Sequence, residues 1–93
     1  MRCNWTRVVE DIAAEMRVRQ AADRSARYTL DELFERSGGS REPQGFRSRS
    51  YWAAVSRGDP SWATARDAGL VVNFEPDEPG REVTHVIFRL DRR

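Results

Sequence analysis

Lysine is missing from this chain; all sixteen basic residues are arginine. Cysteine and histidine occur once each, as Cys3 and His85. A lone cysteine excludes an internal disulfide and fits a reducing compartment. With one Cys and one His far apart, and no ligand-like spacing around either, a zinc site of four protein ligands, or three plus water, cannot be assembled. There is no glycine-rich phosphate loop ending in Lys-Ser or Lys-Thr. No run approaches the roughly 20 apolar residues that span a bilayer, and the N-terminus has no apolar core of signal-peptide length. Nucleophile, base and orienting group cannot be combined from this inventory. Glu10, Asp11 and Glu15 read as the solvated face of a helix, and His85 and Cys3 as packing or surface residues. The expectation is a soluble, cytoplasmic protein with no cofactor, no metal, no membrane contact and no enzymatic activity.

What the chain does have is aromatic mass and arginine. Its 93 residues make one domain, 1–93. A chain this short exposes much of its surface even when folded, so its core must rest on Trp5, Trp52, Trp62, Phe34, Phe46, Phe74, Phe88, Tyr28 and Tyr51. The exclusive use of arginine reads either as the base composition of the gene or as selection for a planar guanidinium that pairs bidentately with phosphate or guanine. Its distribution is more informative. Residues 37–66 hold Arg41, Arg47, Arg49, Arg57 and Arg66 against only Glu42 and Asp59, a net of +3. The segment before is neutral, the segment after is acidic, and the total is +1.

The first helix is marked by Asn4 as a cap and by Trp5, Val8, Val9, Ile12, Ala13 and Met16 at helical spacing, one apolar stripe. The pattern fades near Gln20, and residues 21–27 either extend the helix or connect it to the next. Thr29-Leu30-Asp31-Glu32 is a capping box, with Tyr28 and Leu33 placed as a hydrophobic staple. Leu30, Leu33 and Phe34 form that helix's buried face, and Ser37-Gly38-Gly39 ends it. Residues 38–49 show no periodicity; a loop of this length is expected to be functional or disordered, with Phe46 as its only anchor. Ser48 or Ser50 can cap a third helix through Arg57, which Gly58 ends. Asp59 caps a fourth helix with Pro60 at its first position, and Gly69 closes it. Leu70, Val72 and Phe74, then Val86, Phe88 and Leu90, alternate with polar neighbours as two strands whose even-numbered residues face the core. Residues 76–81 are the turn between them.

Nucleic-acid binding is the sharpest chemical reading. The fourth helix presents Ser61, Thr64 and Arg66 near its start, where a groove-entering helix needs donors. Arg41, Arg47, Arg49 and Arg57 can neutralise phosphates, and Arg81 at the hairpin tip can reach the minor groove or the backbone. Tyr51, like Trp52 and Trp62, is either a contact residue or part of the core. Four acids near Arg81, namely Glu75, Asp77, Glu78 and Glu82, would repel phosphate at close range.

From Thr29 to Leu90 the order of elements resembles a winged helix-turn-helix domain. The resemblance is carried by Thr29-Leu30-Asp31-Glu32-Leu33, by the helix-turn-helix from Ser50 to Gly69, and by Ala68-Gly69-Leu70-Val71-Val72 leading into the hairpin. It covers about two-thirds of the chain, at the level of fold. It implies an α+β fold of three to four helices followed by a C-terminal two-stranded β-hairpin. It also implies a DNA-binding protein, a small bacterial or phage transcriptional regulator acting on double-stranded DNA, and it allows a homodimer. The mixed charge and acidic hairpin motivate the alternative, a protein-interaction module such as a phage-encoded inhibitor of a host nuclease complex.

Overall fold

A computed structural model describes residues 2–19, 25–59 and 62–90, without the side chains of Arg19 and Arg66. The elements run α1 (Trp5–Arg19), β1 (Ser25–Thr29), α2 (Leu30–Ser37), α3 (Arg49–Ser56), α4 (Ala63–Asp67), β2 (Leu70–Glu75) and β3 (His85–Leu90). Among the described residues the fold is α+β, four helices against one antiparallel sheet of order β1-β3-β2. No described helix is long and apolar enough to cross a membrane.

α1 forms for the reason its spacing predicts. The Asn4 Oδ1 accepts from the Arg7 amide at 3.1 Å, and every residue of the stripe from Trp5 to Met16 is buried. α2 carries the full capping box. The Glu32 amide donates to Thr29 Oγ1 at 3.1 Å, and the Thr29 amide donates to the Glu32 carboxylate at 3.1 Å. Gly38 then takes the left-handed conformation, φ 71°, that ends the helix.

The two-stranded sheet expected from the sequence is corrected to three strands. Ser25–Thr29, read as helix extension or connector at its start, pairs with β3, placing Ala26 opposite Phe88 and Tyr28 opposite Val86. The signal is short. Only Ala26 and Tyr28 alternate inward, and Tyr28 and Thr29 already serve the capping of α2. Thr29 does both jobs, because an N-cap residue has extended dihedrals, here φ −76° and ψ 159°. Residues 21–24 of that expected extension lie outside the described residues. The even-numbered residues of β2 and β3 do face the core: Leu70, Val72, Val86 and Phe88 are buried, and Phe74 and Leu90 pack against them. On the outer face Arg27 reaches across β3 to Glu75 on the far strand, 2.8 Å, and ties the two edge strands together.

The aperiodic loop is held in place. Phe46 is 1% exposed and stacks on Trp5 with ring centroids 5.4 Å apart. Its carbonyl accepts the indole N–H of Trp52 at 2.7 Å. One residue on, the Arg47 carbonyl accepts the Val83 amide at 2.9 Å, which fastens the loop to the chain entering β3. Trp62 completes the cluster, 5.0 Å from Trp5 and 5.2 Å from Trp52. α3 starts at Arg49 with Ser48 as its cap and lies along β2, where the Ser56 hydroxyl donates to the Val72 carbonyl at 2.8 Å. That contact covers part of a sheet edge that would otherwise offer free backbone groups. α4 is described as Ala63–Asp67, and Pro60 and Ser61, at the start expected from the sequence, lie outside the described residues.

Two outcomes follow from this packing. Trp52→Phe keeps an aromatic ring but removes the donor to a buried carbonyl and leaves a cavity where the rest of the indole sat. The two losses together should lower stability by about 2–4 kcal/mol, read as a drop in the urea midpoint with unchanged slope. The bond from the Thr29 amide, then that from its hydroxyl, holds the Glu32 carboxyl below its ordinary value. Its stabilisation is therefore full above the ordinary carboxylate value and is lost as pH falls through the lowered one. Glu32→Gln should flatten the acid limb of the thermal stability profile in that window.

Candidate nucleic-acid interface

Two concave regions gather the arginines and flank α3. The first lies between the loop and the hairpin turn. It is a cleft of about 490 Å³ walled by Glu42, Phe46, Arg47, Arg49, Arg81 and Glu82. Three of the arginines expected from the sequence to meet phosphate converge there, and each already holds a carboxylate. Arg47 bridges Asp31 at 2.6 Å and Glu42 at 2.8 Å. Arg49 meets Asp77 through Nε at 2.7 Å. Arg81 pairs with Glu78 at 3.3 Å. Bonds from Glu42, then from Asp31, push the Arg47 guanidinium above the ordinary arginine value, so it stays fully charged.

This arrangement changes the meaning of the charge count. Asp31 comes from the neutral first segment and Asp77 from the acidic last one, so the basic middle segment is not a free basic patch in space. The hairpin acids are likewise not bare: Glu75, Asp77 and Glu78 pair with Arg27, Arg49 and Arg81. Around the cleft stand three guanidiniums and five carboxylates, Asp31, Glu42, Asp77, Glu78 and Glu82.

The second region is a groove of about 590 Å³ between the end of α3, α4 and the start of β2. Val55, Trp62, Leu70 and Val72 line it on the apolar side, with Arg57 and Asp67 also on its wall. Arg57 follows the last turn of α3, where its amide is bonded back to Ala53 and Ala54. Its side chain is exposed and has no hydrogen bond or ion pair among the described residues. Arg41 is also exposed, with no side-chain partner among the described residues. Its carbonyl receives the Cys3 thiol at 3.6 Å, which sets it beside the N-terminal segment.

The other expected contact residues fall differently. Tyr51 is half-buried, with its ring edge-on to Phe46 and Trp52. Its hydroxyl accepts the Trp62 indole N–H at 3.2 Å, and burial pushes its pKa up. The ring therefore belongs to the core. Thr64 is half-buried and donates to Thr6 on α1 at 3.4 Å. Ser61 and the side chain of Arg66 lie outside the described residues. Sequence reasoning missed Arg17, whose guanidinium donates to the Ala68 carbonyl just past α4 at 3.2 Å. A cation there favours the negative end of a helix, but no local pattern links residues so far apart. Among the described residues no cluster of His, Cys, Asp or Glu could hold a metal ion.

No protein-family model matches this sequence, and no curated protein or solved structure matches it either.

The pairing predicts how the loop responds to substitution. Both carboxylate contacts of Arg47 are partly exposed, so Arg47→Met should cost no more than about 1 kcal/mol globally. It should nevertheless speed hydrogen exchange at the Val83 amide, because that amide bonds to the Arg47 carbonyl.

Proposed function

We propose that the chain is a winged helix-turn-helix domain that binds duplex DNA at the α3–α4 end, as a small bacterial or phage transcriptional regulator would. The observation that carries the reading is a helix pair, α3 and α4, running directly into the β2–β3 hairpin, with an exposed arginine that makes no ion pair among the described residues at the turn between the helices. Phosphate recognition draws on cations whose charge is not already neutralised. Arg57 meets that condition at the turn, and Arg41 meets it on the loop.

The same geometry bounds the mode of binding. Thr64 is engaged with Thr6 of α1, and Arg41 and Arg57, which have no described partner, suit phosphate contacts, so affinity comes mainly from the nucleic-acid backbone. Two or three phosphate contacts give a salt slope of about −2 to −3, or roughly a 10- to 40-fold loss of affinity between about 50 and 200 mM salt.

A second reading has its own support. The carboxylate excess around the loop–hairpin cleft suits a protein surface better than a phosphate backbone, and it favours an interaction module that docks on a partner protein. One titration separates the two. Fluorescent random-sequence duplex is titrated with protein at low and high salt, with light scattering on the same samples to report whether a homodimer forms. The DNA reading expects micromolar binding that weakens with salt and that Arg57→Ala weakens several-fold. Absence of binding at low salt abandons it in favour of the protein-binding module.

A further inference from the structure

We infer that the cleft between the loop and the hairpin is a latent phosphate-binding site, kept closed to nucleic acid by carboxylates that occupy its arginines as phosphate oxygens would. The inference rests on the DNA-binding reading and assigns a further part of the surface to it. Its basis is the convergence of Arg47, Arg49 and Arg81 on one cleft. The loop alone does not bring them together. Arg47 and Arg49 flank the cap of α3, and the hairpin turn supplies Arg81.

Each guanidinium is held by a side chain from another part of the chain or of the turn. Asp31 and Asp77 are the long-range holders, at 2.6 Å from Arg47 and 2.7 Å from Arg49. A carboxylate and a phosphate present the same oxygen pair to a guanidinium fork, so the two compete for one donor set. The competition is unequal in the folded protein, because the five carboxylates outnumber the three cations and repel a phosphodiester approaching from solvent. The pairs themselves are exposed: the Arg49 and Asp77 side chains retain 40% and 61% of their accessible surface. Exposed pairs are weak, so little folding stability depends on them, and removing Asp77 frees Arg49 without dismantling the cleft. The acids therefore act as internal competitors that limit how many phosphates the domain engages.

The test is a double-mutant cycle read by anisotropy of a fluorescent random-sequence duplex. Asp77→Asn is isosteric and removes the charge. It should tighten DNA binding about two- to fivefold, the scale of an exposed pair. It should also steepen the dependence of log affinity on log salt by about 0.9, the signature of one added phosphate contact. In the Arg49→Ala background the gain should vanish, so Arg49→Ala/Asp77→Asn binds no tighter than Arg49→Ala. If the gain persists without Arg49, it is a general effect of lowered negative charge, and the inference is overturned. If Asp77→Asn binds no tighter than the unaltered protein, the inference is overturned as well. If the unaltered protein and every variant fail to bind at low salt, the DNA reading itself has failed. Should Asp77→Asn lower the melting temperature appreciably, Glu78→Gln with Arg81→Ala completes the same cycle on another arginine of the cleft.

Discussion

The stack of Trp5, Phe46, Trp52 and Trp62 is the interaction on which the rest of the structure depends. These four rings come from α1, the aperiodic loop, α3 and the residue before α4, and Phe88 joins them to the sheet through Trp62. Large aromatics suit a short chain because each removes much apolar area from water for few ordered torsions. Their polar edges must still be satisfied. The Trp52 N–H goes to the Phe46 carbonyl and the Trp62 N–H to the Tyr51 hydroxyl. Those two bonds convert a greasy cluster into a directional one: the first sets the loop, and the second sets the start of α4 against α3. The turn carrying Arg57 and the cleft carrying Arg47 and Arg49 inherit their positions from it.

Arginine spends much of its capacity inside this molecule. Arg47 ties the loop to α2, Arg49 ties the cap of α3 to the hairpin, Arg27 spans the outer face of the sheet, and Arg36 holds Glu15 of α1 while resting on the Tyr28 ring. Each pair contributes little energy alone. What the planar fork adds is orientation between segments. Four of the sixteen arginines are engaged in this way as ties within the molecule.

Much of the fold could be read from local pattern, and the misses share one cause. The α1 stripe, the Thr29–Glu32 capping box, the Gly38 stop and the alternation of β2 and β3 are all encoded within a few residues, and all appear in the structure. β1 was hidden because its two inward residues are too few to show a period and because Tyr28 and Thr29 also announce the next helix. The order of the 38–48 loop was hidden because its anchors, Trp5, Trp52 and Val83, all come from outside it. The candidate site suffers most from this. Charge counted along the chain placed a basic patch over residues 37–66, yet Asp31 and Asp77, the residues that neutralise Arg47 and Arg49, lie outside that window. No spacing rule connects residues 16 or 28 positions apart across a loop.

The near-zero net charge is therefore a poor guide to what this surface can bind. Two regions beside the same short helix differ in kind. At the N-terminal end of α3 the cations are matched by carboxylates already in contact, and a phosphate arriving there must displace one while facing the others. At the C-terminal end Arg57 is exposed with no ion pair among the described residues, and although Asp67 shares its groove, a phosphate arriving there breaks no existing pair. Attraction of a polyanion depends on the cations left uncompensated over roughly a Debye length, about 10 Å in moderate salt, rather than on the total. The two ends of α3 thus differ in whether a guanidinium is already paired, a difference that a total of +1 does not report. The residues that decide which end is which are the acids Asp31 and Asp77, at least as much as the arginines they hold.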